Sequence, residues 1–323
     1  MKRIVILLLA CLALFVAACG DDDDSTSSPT PASGSQNESG GKIQKNADNA
    51  SINLTIGSKN FTEQKVLGEI YAQGLEAAGY TVSKDLNLGD EKTALAAVKS
   101  DQISAYPEYT GTALLSFFGK KADELPKDPQ AAYEEAKKDF EADGLTAFPP
   151  TPFTSSNEVA VTAETADKLG LKNISDLEGK SQDLTLYGSP ECRQRLDCLL
   201  GLQQIYGLKF KKFTPVDIAL RHQVLDKGQA DLSIVFTTDP QIKRNGYVLL
   251  EDDKGMLPPY NSTLVVRKHA ADAAGPDLED TVEQINAGLT DGTMQELNAR
   301  VDLDDQDPAA VARGYLRQAG LVK

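Results

Sequence analysis

Apolar and polar residues alternate after residue 51 in a pattern that predicts strands and helices in turn. Residues 52–58 place an apolar side chain at every second position, as a strand does. Residues 61–79 place apolar side chains on one helical stripe that ends at Gly79. A strand, a helix capped by Asp90, a strand with a turn and a further helix follow over residues 80–88, 90–100, 102–111 and 129–143. This order favours a parallel α/β sheet, in which ligands lie beyond the carboxyl ends of strands.

Two extended segments interrupted by proline, residues 146–162 and 258–268, divide the pattern into two α/β units. The unit between them reads as strand, helix, helix and strand over residues 184–189, 191–206, 215–229 and 230–238. Two crossings predict two lobes joined by two hinge strands, the alternative being one continuous doubly wound sheet. We expect the helical C-terminal segment to return to lobe 1. Lobe 1 then comprises residues 52–154 and 259–323, and lobe 2 comprises residues 155–258.

The N-terminus predicts a lipoprotein signal. Residues 4–18 are apolar and follow Lys2 and Arg3, and this run is too short for a transmembrane helix, which needs about 20 residues. Small residues precede Cys19, as at a lipoprotein cleavage site. We therefore expect removal of residues 1–18 and a lipid on Cys19 that holds the protein at the extracytoplasmic face of the cell membrane. The alternative is ordinary secretion with cleavage nearby.

Residues 19–51 predict a disordered tether after the lipid. Ile43 is the only large apolar side chain of this segment, and it cannot offset the entropy of ordering the chain. The four consecutive carboxylates of Asp21–Asp24 have no defined turn around them, so we interpret them as solvated linker. The net charge of −15 argues against nucleic acid as a partner.

Two of the four cysteines are expected to form a disulfide. Cys11 leaves with the signal and Cys19 carries the lipid, so Cys192 and Cys198 remain as a pair in an oxidising compartment. A C-x5-C pair with no His or further Cys nearby makes a poor zinc site. The sequence therefore favours a bridge between these two residues and no metal.

The sequence carries no pattern typical of catalysis or cofactor binding. It has no P-loop, no G-x-G-x-x-G after a strand and no G-x-S-x-G. Its two histidines, His222 and His269, are far apart in sequence, and we expect each to be a solvated surface residue. We therefore predict that the protein is not an enzyme and holds no cofactor.

Aromatic side chains at strand ends indicate a binding site. Tyr109, Phe236 and Tyr260 each begin or end an apolar β segment, and Lys59 follows the first strand. A single ring is ordinarily core packing, and we interpret Tyr106, on the strand itself, in that way. Several rings around one point instead attract a cation whose charge is spread over methyl groups. The set therefore predicts a site for a weakly hydrated organic cation.

Six motifs of the chain are shared with one family. They read GSKNFTEQ, YPEYTGTAL, PTPF, LTLYGSPECRQR, LSIVFTTDPQI and PPYNSTLVVRK. The chain resembles the substrate-binding proteins of glycine betaine/carnitine/choline ABC transporters over nearly all of residues 52–323. The resemblance implies a type II periplasmic-binding fold, in which two α/β lobes close on a ligand at the hinge. It also implies an ABC permease as partner, and we expect the binding protein to be a monomer.

The resemblance implies roles for individual residues. In that family four tyrosines surround a quaternary ammonium group, while a Lys, an Arg and a Thr meet the ligand's carboxylate. Matched by motif, Tyr109 and Tyr260 are two walls of this aromatic box, and Thr112 supplies the hydroxyl. Lys59 and Arg195 match the two cations.

Two positions depart from the family pattern. Asn157 and Phe236 stand where tyrosines are expected, and Phe keeps a ring face whereas Asn loses it. The resemblance thus implies a compatible solute such as glycine betaine. The alternative is another trimethylammonium compound (carnitine, choline or a histidine-derived betaine) that serves nutrition or redox defence.

Overall fold

The described chain contains two five-stranded sheets, which we assign to lobe 1 and lobe 2. The computed structural model describes residues 41–121 and 124–323, so the predicted signal and Cys19 lie outside the described residues. The strands of the lobe 1 sheet are β1 Asn53–Gly57, β2 Thr81–Asp85, β3 Ala105–Tyr109, β4 Leu145–Ala147 and β10 Ser262–Arg267. Those of lobe 2 are β5 Asn157–Thr162, β6 Thr185–Gly188, β7 Lys212–Pro215, β8 Leu232–Phe236 and β9 Tyr247–Leu250.

The sheet of lobe 1 is mixed, with strand order β2-β1-β3-β10-β4. β1 pairs in parallel with β2 and β3, as the sequence predicts, but β10 runs antiparallel between β3 and β4. The expectation of a parallel sheet is therefore wrong for β10. The chain returns to lobe 1 at the edge where β3 ends, so its return strand runs in the opposite direction.

The sheet of lobe 2 has the order β7-β6-β8-β5-β9 and is built in the same way. β6 is parallel to β7 and β8, whereas β5 is antiparallel to β8 and β9. Because β5 enters at the edge where β8 ends, Asn157 lies opposite Phe236. In lobe 1, Ser262 lies opposite Tyr109 for the same reason. The predicted architecture of two α/β lobes is confirmed.

Helices cover the sheets and agree with the sequence pattern best in lobe 1. Asp90 caps α2 as predicted, since its carboxylate accepts from the backbone N–H of Thr93 at 2.9 Å. The helices are α1 Thr62–Ala77, α2 Glu91–Lys99, α3 Thr110–Thr112, α4 Pro129–Ala142, α5 Ala163–Leu169, α6 Leu199–Gln204, α7 Arg221–Asp226, α8 Pro240–Asn245, α9 Lys268–Ala274, α10 Pro276–Asn286, α11 Asp291–Asp302 and α12 Pro308–Gln318.

The two longer helices predicted in lobe 2 are only partly correct. Over residues 191–206, a disulfide loop separates a 3-10 turn from the short helix α6. Over residues 215–229, Pro215 belongs to β7, where it pairs with Gly188, and only the short helix α7 and a 3-10 turn follow. Tertiary pairing and the covalent bridge override helical periodicity at both places.

Residues 41–51 pack onto lobe 1, so the expectation of a disordered tether is wrong for this part of residues 19–51. Ile43 is buried in the core of lobe 1. The backbone N–H groups of residues 42 and 43 donate to the carbonyls of Gly320 and Leu321. The single apolar side chain suffices because the C-terminal segment supplies a docking surface and backbone acceptors, which the composition of the segment does not reveal.

Two segments, residues 148–156 and 251–261, carry the chain between the lobes and pair with each other through Thr154 and Asn261. The expected lobe boundaries fall within them and remain a prediction about which residues move together. The last helices pack against α1 in the core of lobe 1. Within the described residues, no helix has the length and apolar character needed to cross a membrane.

Candidate functional site

A cleft lies between the lobes, at the edges where β3 and β8 end. Its volume is about 740 Å³, including the open mouth. Strand ends position its side chains: Lys59 comes two residues after β1, Tyr109 ends β3 and Phe236 ends β8. All seven residues that the sequence suggested for ligand contact line this cleft: Lys59, Tyr109, Thr112, Asn157, Arg195, Phe236 and Tyr260.

Tyr109 is held in a fixed orientation at the end of β3. Its hydroxyl donates to Glu63 Oε1 at 2.6 Å, and Glu63 Oε2 accepts from Asn298 Nδ2 at 2.9 Å. Burial raises the pKa of Glu63 in spite of these hydrogen bonds. Two helices of lobe 1, α1 and α11, therefore fix the position of the Tyr109 ring. Tyr106 is fully buried in the core of lobe 1, as predicted.

Tyr260 is the second tyrosine of the cleft, and 1 % of its surface is exposed. Its hydroxyl donates to Asp197 Oδ2 at 2.5 Å, which links the returning crossing to lobe 2. The ring lies directly against Gly111, where a Cβ atom would stand 2.7 Å from ring atom Cε1. The glycine of the Glu-Tyr-Thr-Gly-Thr motif is therefore required by the close approach of Tyr260.

Phe61 is a ring of the cleft that sequence analysis missed. Its centroid is 5.1 Å from that of Phe236 and 6.4 Å from that of Tyr109, so the three rings form a wall that spans both lobes. Phe61 lies two residues after Lys59, and the strand-exit argument that singled out Lys59 could have found it. With Tyr260, the described residues give this cleft four rings.

Asn157 contributes an amide to the cleft, at a position where the family resemblance led us to expect a ring. It is the first residue of β5, and its Nδ2 donates to the backbone carbonyl of Asp197 at 3.3 Å. The side chain is half-buried and lies in the cleft. The fourth ring of the cleft is thus Phe61 from lobe 1 and not a residue at position 157.

Lys59 is buried and already has a charge partner. Its Nζ donates to Glu108 Oε1 and lies 4.5 Å from the centre of the Tyr109 ring. Burial raises the pKa of Glu108, although the ammonium of Lys59 opposes that rise. One face of Tyr109 therefore carries the protein's own cation.

Arg195 extends from the loop that the predicted disulfide closes; the bridge between Cys192 and Cys198 is present. The guanidinium donates to both oxygens of Asp197, through Nε at 2.8 Å and Nη2 at 2.5 Å. Nη2 also reaches Thr112 Oγ1 of lobe 1 at 3.4 Å. Burial would raise the pKa of Asp197, but the guanidinium outweighs burial and holds that pKa below its ordinary value.

Arg221 is a second residue of the cleft that sequence analysis missed. Its guanidinium carbon lies 4.6 Å from the centre of the Phe236 ring, and it donates to Asp239 at 2.9 and 2.5 Å. Burial opposes ionisation of Asp239, but Arg221 and His222 lower its pKa to about 2. His222 is buried, so its expected surface position is wrong, whereas His269 is exposed. No sequence pattern signals these contacts, because they depend on how α7 packs on β8.

The cleft combines an aromatic wall with paired charges and with hydroxyl and amide groups. Rings suit a weakly hydrated organic cation, and a guanidinium beside a hydroxyl suits an anionic or polar group. Within residues 41–121 and 124–323, no group of three or more His, Cys, Asp or Glu side chains could hold a metal ion. Two α/β lobes with two crossings and a cleft between them define a ligand-binding protein of the type II periplasmic-binding fold.

Comparison with known proteins gives the family. Residues 52–318 match OpuAC, the substrate-binding domain of the ABC-type glycine betaine transport system, and the chain belongs to this family. A glycine-betaine-binding protein of Pseudomonas aeruginosa is 36% identical over 280 residues, which cover 83% of this chain and 88% of the relative.

Two further proteins are similar to this chain. The ergothioneine transport permease/ergothioneine binding protein EgtU of Helicobacter pylori is 29% identical over 83% of this chain and 48% of its own length. A crystal structure described as a glycine betaine/carnitine/choline ABC transporter is similar with a TM-score of 0.66 and 25% identity. That similarity covers 82% of this chain and 98% of the solved one.

Proposed function

We propose that the protein captures a quaternary-ammonium compatible solute, of the glycine betaine type, between its lobes and delivers it to an ABC permease. The observation that carries this proposal is the four-ring lining of the cleft. A trimethylammonium group cannot donate strong hydrogen bonds and is weakly hydrated, so ring faces suit it better than carboxylates do. Each cation–π contact contributes about 0.5–2 kcal/mol.

Arg195 and Thr112 provide for the other end of the ligand. Arg195 and Thr112 come from different lobes and their side chains are in contact, with Nη2 3.4 Å from Oγ1, so a small carboxylate that contacts the guanidinium beside this pair would lie against both lobes at once. Binding would in this way favour closure of the lobes on the ligand.

The cellular setting follows from the N-terminal sequence and from the family. We propose that the protein is a monomeric lipoprotein, anchored through Cys19 at the extracytoplasmic face of the cell membrane, where it meets the permease. It would act by binding and release, without catalysis and without a cofactor. The predicted lobes, residues 52–154 with 259–323 and residues 155–258, would be the units that move.

One observation favours an alternative ligand for the same cleft. Asn157 offers an amide donor and acceptor in the cleft where the family pattern has a ring. A trimethylammonium compound with a hydroxyl, an imidazole or a longer chain could use that amide. One protein similar to this chain is named for ergothioneine binding, and another, from Listeria monocytogenes, is named for carnitine transport.

Titration calorimetry tests the proposal directly. The purified protein would be titrated with glycine betaine, carnitine, choline and a histidine-derived betaine, with proline as a solute that lacks a trimethylammonium group. We expect binding of one or more of the four and none of proline. Tyr109→Ala should weaken binding roughly tenfold or more, and unchanged affinity in that variant would show that the rings do not hold the ligand.

A further inference from the structure

The cations of the cleft are each neutralised within the chain. Every described cation among the lining residues has its own carboxylate partner: Lys59 with Glu108, Arg195 with Asp197, and Arg221 with Asp239. A ligand carboxylate therefore meets no unpaired positive charge. The affinity for such a carboxylate therefore depends on any further negative charge near the guanidinium of Arg195.

Glu91 supplies such a negative charge. It is the first residue of α2 in lobe 1, and its Oε2 lies 3.4 Å from Nη1 of Arg195 in lobe 2. The side chain is buried, and its Oε1 has no hydrogen-bond partner within the described chain. An acceptor oxygen left in this way beside the cleft repels any second carboxylate brought to the same place.

The geometry of the Arg195 guanidinium determines where Glu91 and a ligand carboxylate would compete. Asp197 accepts from Nε and Nη2 of Arg195, and Thr112 lies against Nη2 as well. Nη1 is the nitrogen that remains, and Glu91 already lies beside it. At 3.4 Å this contact is longer than a good charge-assisted hydrogen bond, so a ligand carboxylate can compete for Nη1 but must do so against Glu91.

We propose that Glu91 is a specificity-determining residue, which discriminates between ligands by their net charge. Glu91 weakens the binding of zwitterions, because their carboxylate must share Arg195 with the carboxylate of Glu91. It thereby favours quaternary ammonium compounds that have no carboxylate. This inference rests on the proposed function, because it concerns the ligands of that same cleft. A single residue of α2 would then set the relative affinity for a betaine and for a choline-like cation.

Glu91→Gln tests the inference, since it removes the charge and keeps the shape. Wild type and variant, as the whole purified protein, would be titrated with glycine betaine and with choline. We expect the ratio of the two dissociation constants to shift by about tenfold toward glycine betaine, because juxtaposed like charges strongly affect specificity. Glu91→Ala serves as a second variant, and thermal unfolding of each protein shows that it is folded.

Glu191→Gln is the matched control. Glu191 lines the same cleft, but no hydrogen bond or ion pair joins it to Arg195 in the described structure. Its neutralisation measures the effect of diffuse charge, and we expect a clearly smaller shift in the ratio than for Glu91→Gln. Equal shifts in the two variants would overturn the specific role of Glu91.

The remaining outcomes separate the inference from the proposed function. If the wild type binds both ligands and the ratio is unchanged in Glu91→Gln and Glu91→Ala, the inference is wrong and the proposed function stands. If the wild type binds neither these two ligands nor any other trimethylammonium compound, the proposed function fails and this inference fails with it.

Discussion

At the scale of single residues, Phe61 is a side chain whose role in the cleft is open to direct test. Phe61→Leu keeps much of the apolar volume and removes the ring faces beside Phe236 and Tyr109. Loss of a cation–π contact of about 0.5–2 kcal/mol should weaken glycine betaine binding roughly 2- to 30-fold in calorimetry.

Phe210→Leu provides the control for that substitution. Phe210 is half-buried against the core of lobe 2 and does not line the cleft. It should lose stability to a similar degree and keep its affinity. Equal affinity in Phe61→Leu and the wild type would remove Phe61 from the proposed box.

Gly111 is a residue at which the addition of one Cβ atom should affect both stability and ligand binding. In Gly111→Ala the new Cβ would lie within 3 Å of the Tyr260 ring and of Pro258, so the ring must shift and its hydrogen bond to Asp197 should be lost. We expect destabilisation of about 1–3 kcal/mol, as for other overpacked sites, and weaker ligand binding. Gly292→Ala, whose new Cβ would meet no heavy atom within 4 Å, should keep the affinity and should not lower stability, because Ala is favoured over Gly within helix α11. Matching losses in the two variants would contradict this account.

At the scale of elements, the disulfide loop is expected to support both stability and affinity. The bridge closes a loop of 6 sequence steps around Arg195, and the double variant Cys192→Ser/Cys198→Ser should lose roughly 2 kcal/mol of unfolding free energy. Denaturant unfolding measures that loss. Calorimetry should also show weaker binding, since Arg195 loses its fixed position. Lower stability with wild-type affinity would mean that Asp197 alone positions the guanidinium.

Strand β5 carries a carboxyl group whose ionisation opposes folding. Burial, and secondarily the charge of Asp252, raise the pKa of Glu158 to about 7 from an ordinary value of 4.5. The folded protein thus holds this proton more tightly than the unfolded chain does, so the contribution of Glu158 to stability falls as the pH rises from about 4.5 to 7. Glu158→Gln removes that loss and should be more stable than wild type by about 1–3 kcal/mol at pH 8.

Urea unfolding at two pH values checks the effect of Glu158. The gain should vanish near pH 4, where the carboxyl group is protonated in both the folded and the unfolded chain. Glu178→Gln, at an exposed position of the same lobe, should give no gain at pH 8. A gain of the same size at both pH values would point to packing and not to ionisation.

At the scale of the whole molecule, the contacts between lobes predict that ligand and closure are coupled. Arg195 of lobe 2 reaches Thr112 of lobe 1, and Tyr260 of the returning crossing reaches Asp197 of lobe 2. Ligand at 100 times its dissociation constant should stabilise the protein by about 2.7 kcal/mol, and small-angle scattering should show a smaller radius of gyration. Tyr109→Ala at the same ligand concentration serves as the control. A rise in melting temperature with no change in the radius would indicate that the lobes do not move.

Local signals in the sequence were sufficient for many elements. The alternation over residues 52–58, the stripe of α1 and the Asp90 cap each depend on a few neighbouring residues, and the structure agrees with all three. The seven candidate residues meet at one cleft because strand ends and two crossings deliver them there, and both features can be read locally. Family motifs added the expectation that they act together.

The sequence by itself determined the class of fold, the disulfide and the positions of the candidate residues, because these follow from short-range periodicity, from cysteine count and from motifs. Only the tertiary structure decided the partners of those residues. The pairing of Lys59 with Glu108, the ring of Phe61 beside Phe236 and the place of Glu91 beside Arg195 join residues that are 49, 175 and 104 positions apart. Contacts at such separations depend on how sheets and lobes pack, and no pattern of neighbouring residues encodes that packing.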